Sequence, residues 1–315
     1  MDPKVLRQVL RVLRSSSISQ LNNLSETLKN TVPAFVIPKE RILKLLEIGS
    51  LEDLISKVQI HGLNAHPQLK ILSDSLNPHD KELTIYCRGF LSSDRFQDWI
   101  ITHDRLVQMH GWSKKAVGWT WPSGRVLPIP PLLPPLPVLY KPAVLTVATA
   151  LMIGGQIWLQ WVLSQQRAVE RARDLAEQLT LLRPHFDRIR IVSHSLGCRH
   201  VVEACLLLEP NVRPDYLHLC APAFHDDDML VRWSEVARRK TIVYYTPKDM
   251  LLQTVYRTFN KARVPFGIAP PETFRTDVFQ SNRYQSVKVC DHFDLWVHQA
   301  YQKRFANFAV NDLGE

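Results

Sequence analysis

From Glu82 onward, short apolar strand patterns alternate with helical patterns, and that alternation leaves the chain few folds to choose from. Leu83–Cys87 reads as a strand running into Arg88-Gly89-Phe90-Leu91-Ser92. A helix through Trp99 to Met109 follows, then a strand at Ala116–Trp121, a long insertion, and a charged helix from Arg167 to Leu182. A strand ending at Ser193 is followed at once by a helix from Leu196. The pattern continues with a strand at Tyr216–Cys220, a helix near Met229–Ala237, a strand at Thr241–Tyr245 and a helix around Leu251–Phe259. A strand at Ser286–Cys290 and a helix from Leu295 close it. This order predicts an α/β fold with a mostly parallel sheet and helices on both faces. Right-handed crossovers then bring every strand-to-helix turn to one edge of the sheet, where ligands bind.

Residues 1–80 read as a mostly helical N-terminal extension, with Val5, Leu6, Val9, Leu10 and Leu13 at helix spacing and no strong strand. Residues 81–315 form the α/β domain, with an insertion at 122–166. The insertion opens with a proline-rich run, Val126 to Pro137, which neither a helix interior nor a central strand accommodates. Pro142 to Gln166 then carries no charge and exceeds the roughly 20 apolar residues that cross a bilayer. A single crossing would put the serine-bearing strand across the membrane from its sheet partners. Two readings remain: a buried crossover helix after a proline-rich loop, or a lid or membrane-docking element over the ligand edge. In the second, residues 126–163 make peripheral membrane contact, and the substrate is an apolar acyl or lipid molecule.

The 315 residues are 45% hydrophobic, which suits a globular protein. A net charge of +9 arises from scattered Lys and Arg without a nucleic-acid motif, so no nucleic-acid partner is expected. The charge suits a solvated cationic surface or attraction to anionic membranes. Five cysteines, an odd number without metal-ligand spacing, predict buried free thiols in a reducing compartment and no metal or other cofactor. The N-terminus lacks the apolar stretch of a secretory signal. Met1 to Ser25 is rich in Arg, Leu and Ser with only Asp2 acidic, so it reads as an amphipathic helix or an organelle-targeting segment. The expected location is cytoplasmic, with or without membrane association.

The chemistry gathers around Ser195. Ile189-Arg190-Ile191-Val192 ends in Ser193-His194-Ser195-Leu196-Gly197, the pattern of a nucleophile elbow, in which serine sits on a strained turn between strand and helix. The strain requires small residues two positions either side, here Ser193 and Gly197. Such a serine needs a base, and the base needs a carboxylate to orient it. Asp249 follows the Thr241–Tyr245 strand and His292 follows the Ser286–Cys290 strand, so Ser195, Asp249 and His292 fall in the order Ser, Asp, His at one sheet edge. Asp226, Asp227 and Asp228 are second choice for the acid, and His298 is the reserve base. His194 and His200 are expected to pack beside the elbow. The backbone amides of Leu196 and Phe90, with Leu91 next, are the expected oxyanion donors, and Gly89 lets the second loop approach closely.

With these residues in place, the stretch from Glu82 to His298 resembles an α/β-hydrolase, and its motifs are similar to lipase-like and esterase-like serine hydrolases. Ser193 in place of glycine, and helices where the first strands belong, depart from that pattern. The resemblance implies a serine hydrolase that cleaves an ester through an acyl-enzyme. Two alternatives stay open: a catalytically silent binding or membrane-associated scaffold of the same fold, and an acyltransferase using the same triad.

Overall fold

A computed structural model describes residues 67–74, 79–90, 96–124, 160–225, 232–260, 262–270, 282–290 and 297–312. Contacts divide the chain into two units, Met1–Asn64 with Val126–Trp161, and Ala65–Arg125 with Val162–Glu315. Nearly all of the first unit lies outside the described residues, and with it the proline-rich run and most of the insertion. The second unit contains the sheet and the site.

Seven strands form one sheet: β1 (Gln68–Ser73), β2 (Glu82–Cys87), β3 (Ala116–Thr120), β4 (Arg188–His194), β5 (Tyr216–Cys220), β6 (Lys240–Tyr245) and β7 (Tyr284–Lys288). Their spatial order is β1-β3-β2-β4-β5-β6-β7. All neighbours pair parallel except β1, which runs antiparallel to β3 at the edge. Cys87 pairs with Ser193, His194 with Cys220, Cys220 with Tyr244, and Tyr245 with Lys288. The carboxyl ends of five strands therefore line up, as the parallel pattern predicts.

The central strands are buried on both faces, which explains their nearly continuous apolar character. Among the described residues, the helices that cover them include α1 (Gln97–His110), α2 (Ala172–Leu182), α3 (Leu196–Leu206) and α4 (Val297–Arg304). Helix α1 packs with α4 on one face, and α2 packs with α3 on the other. The π turn Leu252–Tyr256 sits within a helical segment, 250–259, that follows β6.

Three expectations change. Gln68–Ser73 is a strand inside the stretch expected to be mostly helical with no strong strand; as a half-exposed edge strand it shows only a weak alternation. No helix forms over 232–239, part of the expected helix at Met229–Ala237. There the amides of Arg238 and Arg239 donate to the carbonyls of Pro214 and Asp215 before β5, not to their own turn. Strand β7 also ends two residues earlier than expected, at Lys288. Among the described residues, no helix is long and apolar enough to cross a membrane.

The α1/α4 face carries a buried polar cluster. Arg190 donates to both Asp312 oxygens at 2.5 and 2.6 Å and lies 3.9 Å from the Trp112 ring centre. His218 Nε2 donates to Asp312 at 3.3 Å, and Tyr244 donates its hydroxyl proton to His218 Nδ1. Burial pushes the Asp312 carboxyl up, but hydrogen bonds from His218 and Arg190 outweigh it and hold it well below the usual carboxylate range. A folded-state value below the unfolded one, about 3.9, stabilises the protein above that pH, and the gain is lost as pH falls through the folded value. Removing one partner leaves a buried charge unpaired. Asp312→Ala is expected to lower unfolding stability by about 3–5 kcal/mol, measured by urea denaturation at neutral pH.

Candidate active site

Ser195 stands between β4 and α3 with φ 57° and ψ −128°, a left-handed conformation that is strained for any residue with a Cβ. Backbone hydrogen bonds hold it there. Its N–H donates to the Cys220 carbonyl at 2.9 Å, and its carbonyl accepts from the amides of Cys198 and Ala223. The turn also needs room. A Cβ on Gly89 would stand 2.6 Å from the Ser195 Cβ, and one on Gly197 would overlap the Arg88 carbonyl. The Ser193 hydroxyl would crowd such a Cβ on Gly197 as well, at 3.2 Å.

Asp249 sits in the turn after β6, fully buried, where its Oδ1 accepts the Leu252 amide at 3.1 Å. The 262–270 segment buttresses this turn, because Gly267 N–H donates to Pro222 and the Gly267 carbonyl accepts from Thr246. The free oxygen of Asp249, Oδ2, lies 2.7 Å from His298 Nδ1. His298 Nε2 lies 2.9 Å from Ser195 Oγ. A carboxylate only accepts, so Nδ1 carries the proton and Nε2 is left to accept from the serine hydroxyl. Ser195, His298 and Asp249 form a Ser-His-Asp catalytic triad.

The base is therefore His298, in the first turn of α4, and not His292. One imidazole bridges Asp249 to Ser195, and His298 occupies that position; His292 itself lies outside the described residues. Counting from strand ends puts the base directly after β7, whereas His298 comes ten positions after Lys288. Asp226, Asp227, Asp228 and Leu91 also lie outside the described residues. Leu196 is the first residue of α3, directly after the nucleophile, and Phe90 sits in the turn after Gly89.

The neighbouring histidines pack as expected. His200 donates Nδ1–H to the Ala168 carbonyl and accepts the Trp119 indole N–H, both at 2.9 Å, with Trp121 stacked at 4.7 Å. Burial lowers its pKa to about 4, so it is neutral. His194 is also buried, with its pKa pushed well below the ordinary value by burial and by the neighbouring His298. All five cysteines are free thiols, four buried and Cys290 half-buried. Among the described residues, no group of three or more His, Cys, Asp or Glu is placed to hold a metal ion.

Strand order, elbow and triad now agree. The architecture is α/β-hydrolase-like. No family model matches this α/β-hydrolase-like chain, and no curated protein matches it in sequence. Solved structures similar to it include an esterase of Pyrococcus furiosus, with 9% identity, 78% of this chain and 92% of that one covered, and a TM-score of 0.34. Esterase 2 of Thermogutta terrifontis gives 12%, 77%, 88% and 0.39 in the same terms. Est1E of Butyrivibrio proteoclasticus gives 10%, 76%, 89% and 0.35.

Removal of the base separates the two histidines. His298→Ala is expected to lower kcat for an activated ester by about 10⁴-fold or more, by analogy with loss of a triad member. His292→Ala is expected to stay within about threefold of wild type in the same assay, since the triad is complete without it. Gly89→Ala is expected to abolish most activity while the folded protein persists, read by ester hydrolysis alongside circular dichroism.

Proposed function

We propose that this protein is a serine hydrolase that cleaves carboxylic esters with apolar acyl groups through an acyl-enzyme. The observation that carries the reading is His298 hydrogen-bonded at once to Asp249 and to Ser195 Oγ. His298 Nε2 takes the proton as Ser195 Oγ bonds to the ester carbon, and the carbonyl oxygen becomes an oxyanion. Collapse breaks the bond to the alcohol, which leaves with the proton from Nε2, and the acyl group stays on Ser195. Water repeats the sequence with the same base and releases the acid. Asp249 keeps the Nδ1 proton in place and stabilises the imidazolium.

The Leu196 and Phe90 amides are assigned to the oxyanion. Leu196 opens a helix N-terminus directly after the nucleophile, and Gly89 brings the preceding loop against Ser195. The uncharged stretch and the proline-rich run support an acyl-binding lid and membrane contact through residues 126–163, to which the net charge of +9 adds attraction for anionic lipid. Five free thiols support a reducing compartment such as the cytoplasm.

A fluorophosphonate probe tests the core of this reading. Wild type is expected to label and Ser195→Ala to stay unlabelled; labelling that survives the substitution, or folded wild type that does not label, overturns it. Deleting residues 126–137 is expected to reduce hydrolysis of long-chain p-nitrophenyl esters more than short-chain ones, and equal reduction removes the lid role.

A further inference from the structure

His194 ends β4 one residue before the nucleophile, and its side chain reaches α4, on the opposite face from α3. Its Nε2 lies 2.7 Å from the main-chain carbonyl oxygen of His298. A carbonyl only accepts, so Nε2 carries the proton. Burial, the neighbouring His298 and Arg88 all hold His194 in its neutral form, which leaves Nδ1 as a bare acceptor. Gln302 Nε2 donates to it at 3.4 Å, and the Gln302 Oε1 accepts from Arg88 Nη2 at 3.3 Å. Every donor in this series points the same way, from Arg88 through Gln302 and His194 to the backbone of His298.

The rest of the packing makes this series a brace. Thr102 on α1 donates to the Gln302 carbonyl at 2.6 Å, which ties α4 to its neighbouring helix. Arg88 belongs to the loop that touches the nucleophile: its carbonyl accepts the Trp121 indole N–H at 2.7 Å and abuts Gly197. The groups facing His194 are His298 at 4.6 Å between ring centres, Tyr301 at 6.1 Å, Gln302 and Arg88. His298 is thus gripped twice, its imidazole by Asp249 and its main chain by His194.

We propose that His194 is a positioning residue for the catalytic base, holding the His298 backbone through Nε2–H and held in turn by Gln302 and Arg88. This rests on His298 being the base of the triad. A displacement of about 1 Å in a catalytic group can cost about 100-fold in rate without weakening binding, so the signature is in kcat. His194→Ala in the full chain is expected to lower kcat for p-nitrophenyl butyrate about 10- to 100-fold with KM within about threefold. His194→Gln keeps an N–H at similar reach and is expected to recover most of kcat. Gln302→Leu, which leaves His194 in place, is expected to act in the same direction and serves if His194→Ala does not fold. The independent readout is the His298 Nδ1 proton by NMR, identified by its loss in His298→Ala. In His194→Ala or Gln302→Leu it is expected to shift and exchange faster with solvent, and in His194→Gln to return towards wild type. A folded variant lacking the brace that keeps both kcat and this proton unchanged overturns the proposal, as does failure of His194→Gln to recover either. If wild type hydrolyses no ester, the hydrolase reading falls and the NMR comparison alone decides whether His194 positions His298.

Discussion

Everything about the site depends on one residue held where an L-amino acid resists going. The left-handed turn at Ser195 costs about 1–3 kcal/mol locally, and the surroundings must over-determine it. They do so from three strands. Strand β4 delivers the serine, β5 accepts its amide through Cys220, and the loop after β2 yields space at Gly89. Because the strands share a register, these supports arrive at one level. The hydroxyl is then presented at the start of α3 with its neighbours already close.

The two faces of the sheet are built on different physics. Towards α2 and α3, Ile85, Ile189 and Ile191 are shielded from water, and the hydrogen-bonded groups there, His200 and Trp119, lie towards the β3 side. Towards α1 and α4 stand Arg190, His194, His218 and Tyr244, all in hydrogen bonds. Apolar packing tolerates small slides, whereas hydrogen bonds and ion pairs select particular geometries. The base sits against the face where geometry is selected, the face that also holds Asp312, whose ion pair with Arg190 anchors the last described residues of the chain.

Much of this was readable in advance because it rests on short-range pattern. The central strands announced themselves as β-branched runs, and Ser195, Asp249 and the loop at Gly89 lie within a few residues of strand ends. The base did not, since His298 reaches the site only after a connection whose path is set by tertiary packing. Strand β1 was hidden for another reason: an edge strand with half-exposed residues leaves little alternation to detect. Gln302 carries no local mark at all, and nothing near Arg88 in sequence ties it to Gln302. Their connection is between residues 214 positions apart and exists only once α4 has docked.

Cys87, Cys198 and Cys220 surround the elbow with thiols that burial keeps protonated and out of solvent. Electrophiles that attack thiolates therefore find nothing to react with while this region stays closed. The same thiols become reactive whenever the strand-to-helix junction breathes. Their modification rate under native conditions is then a clock for local opening of the elbow, native to the protein and independent of any substrate.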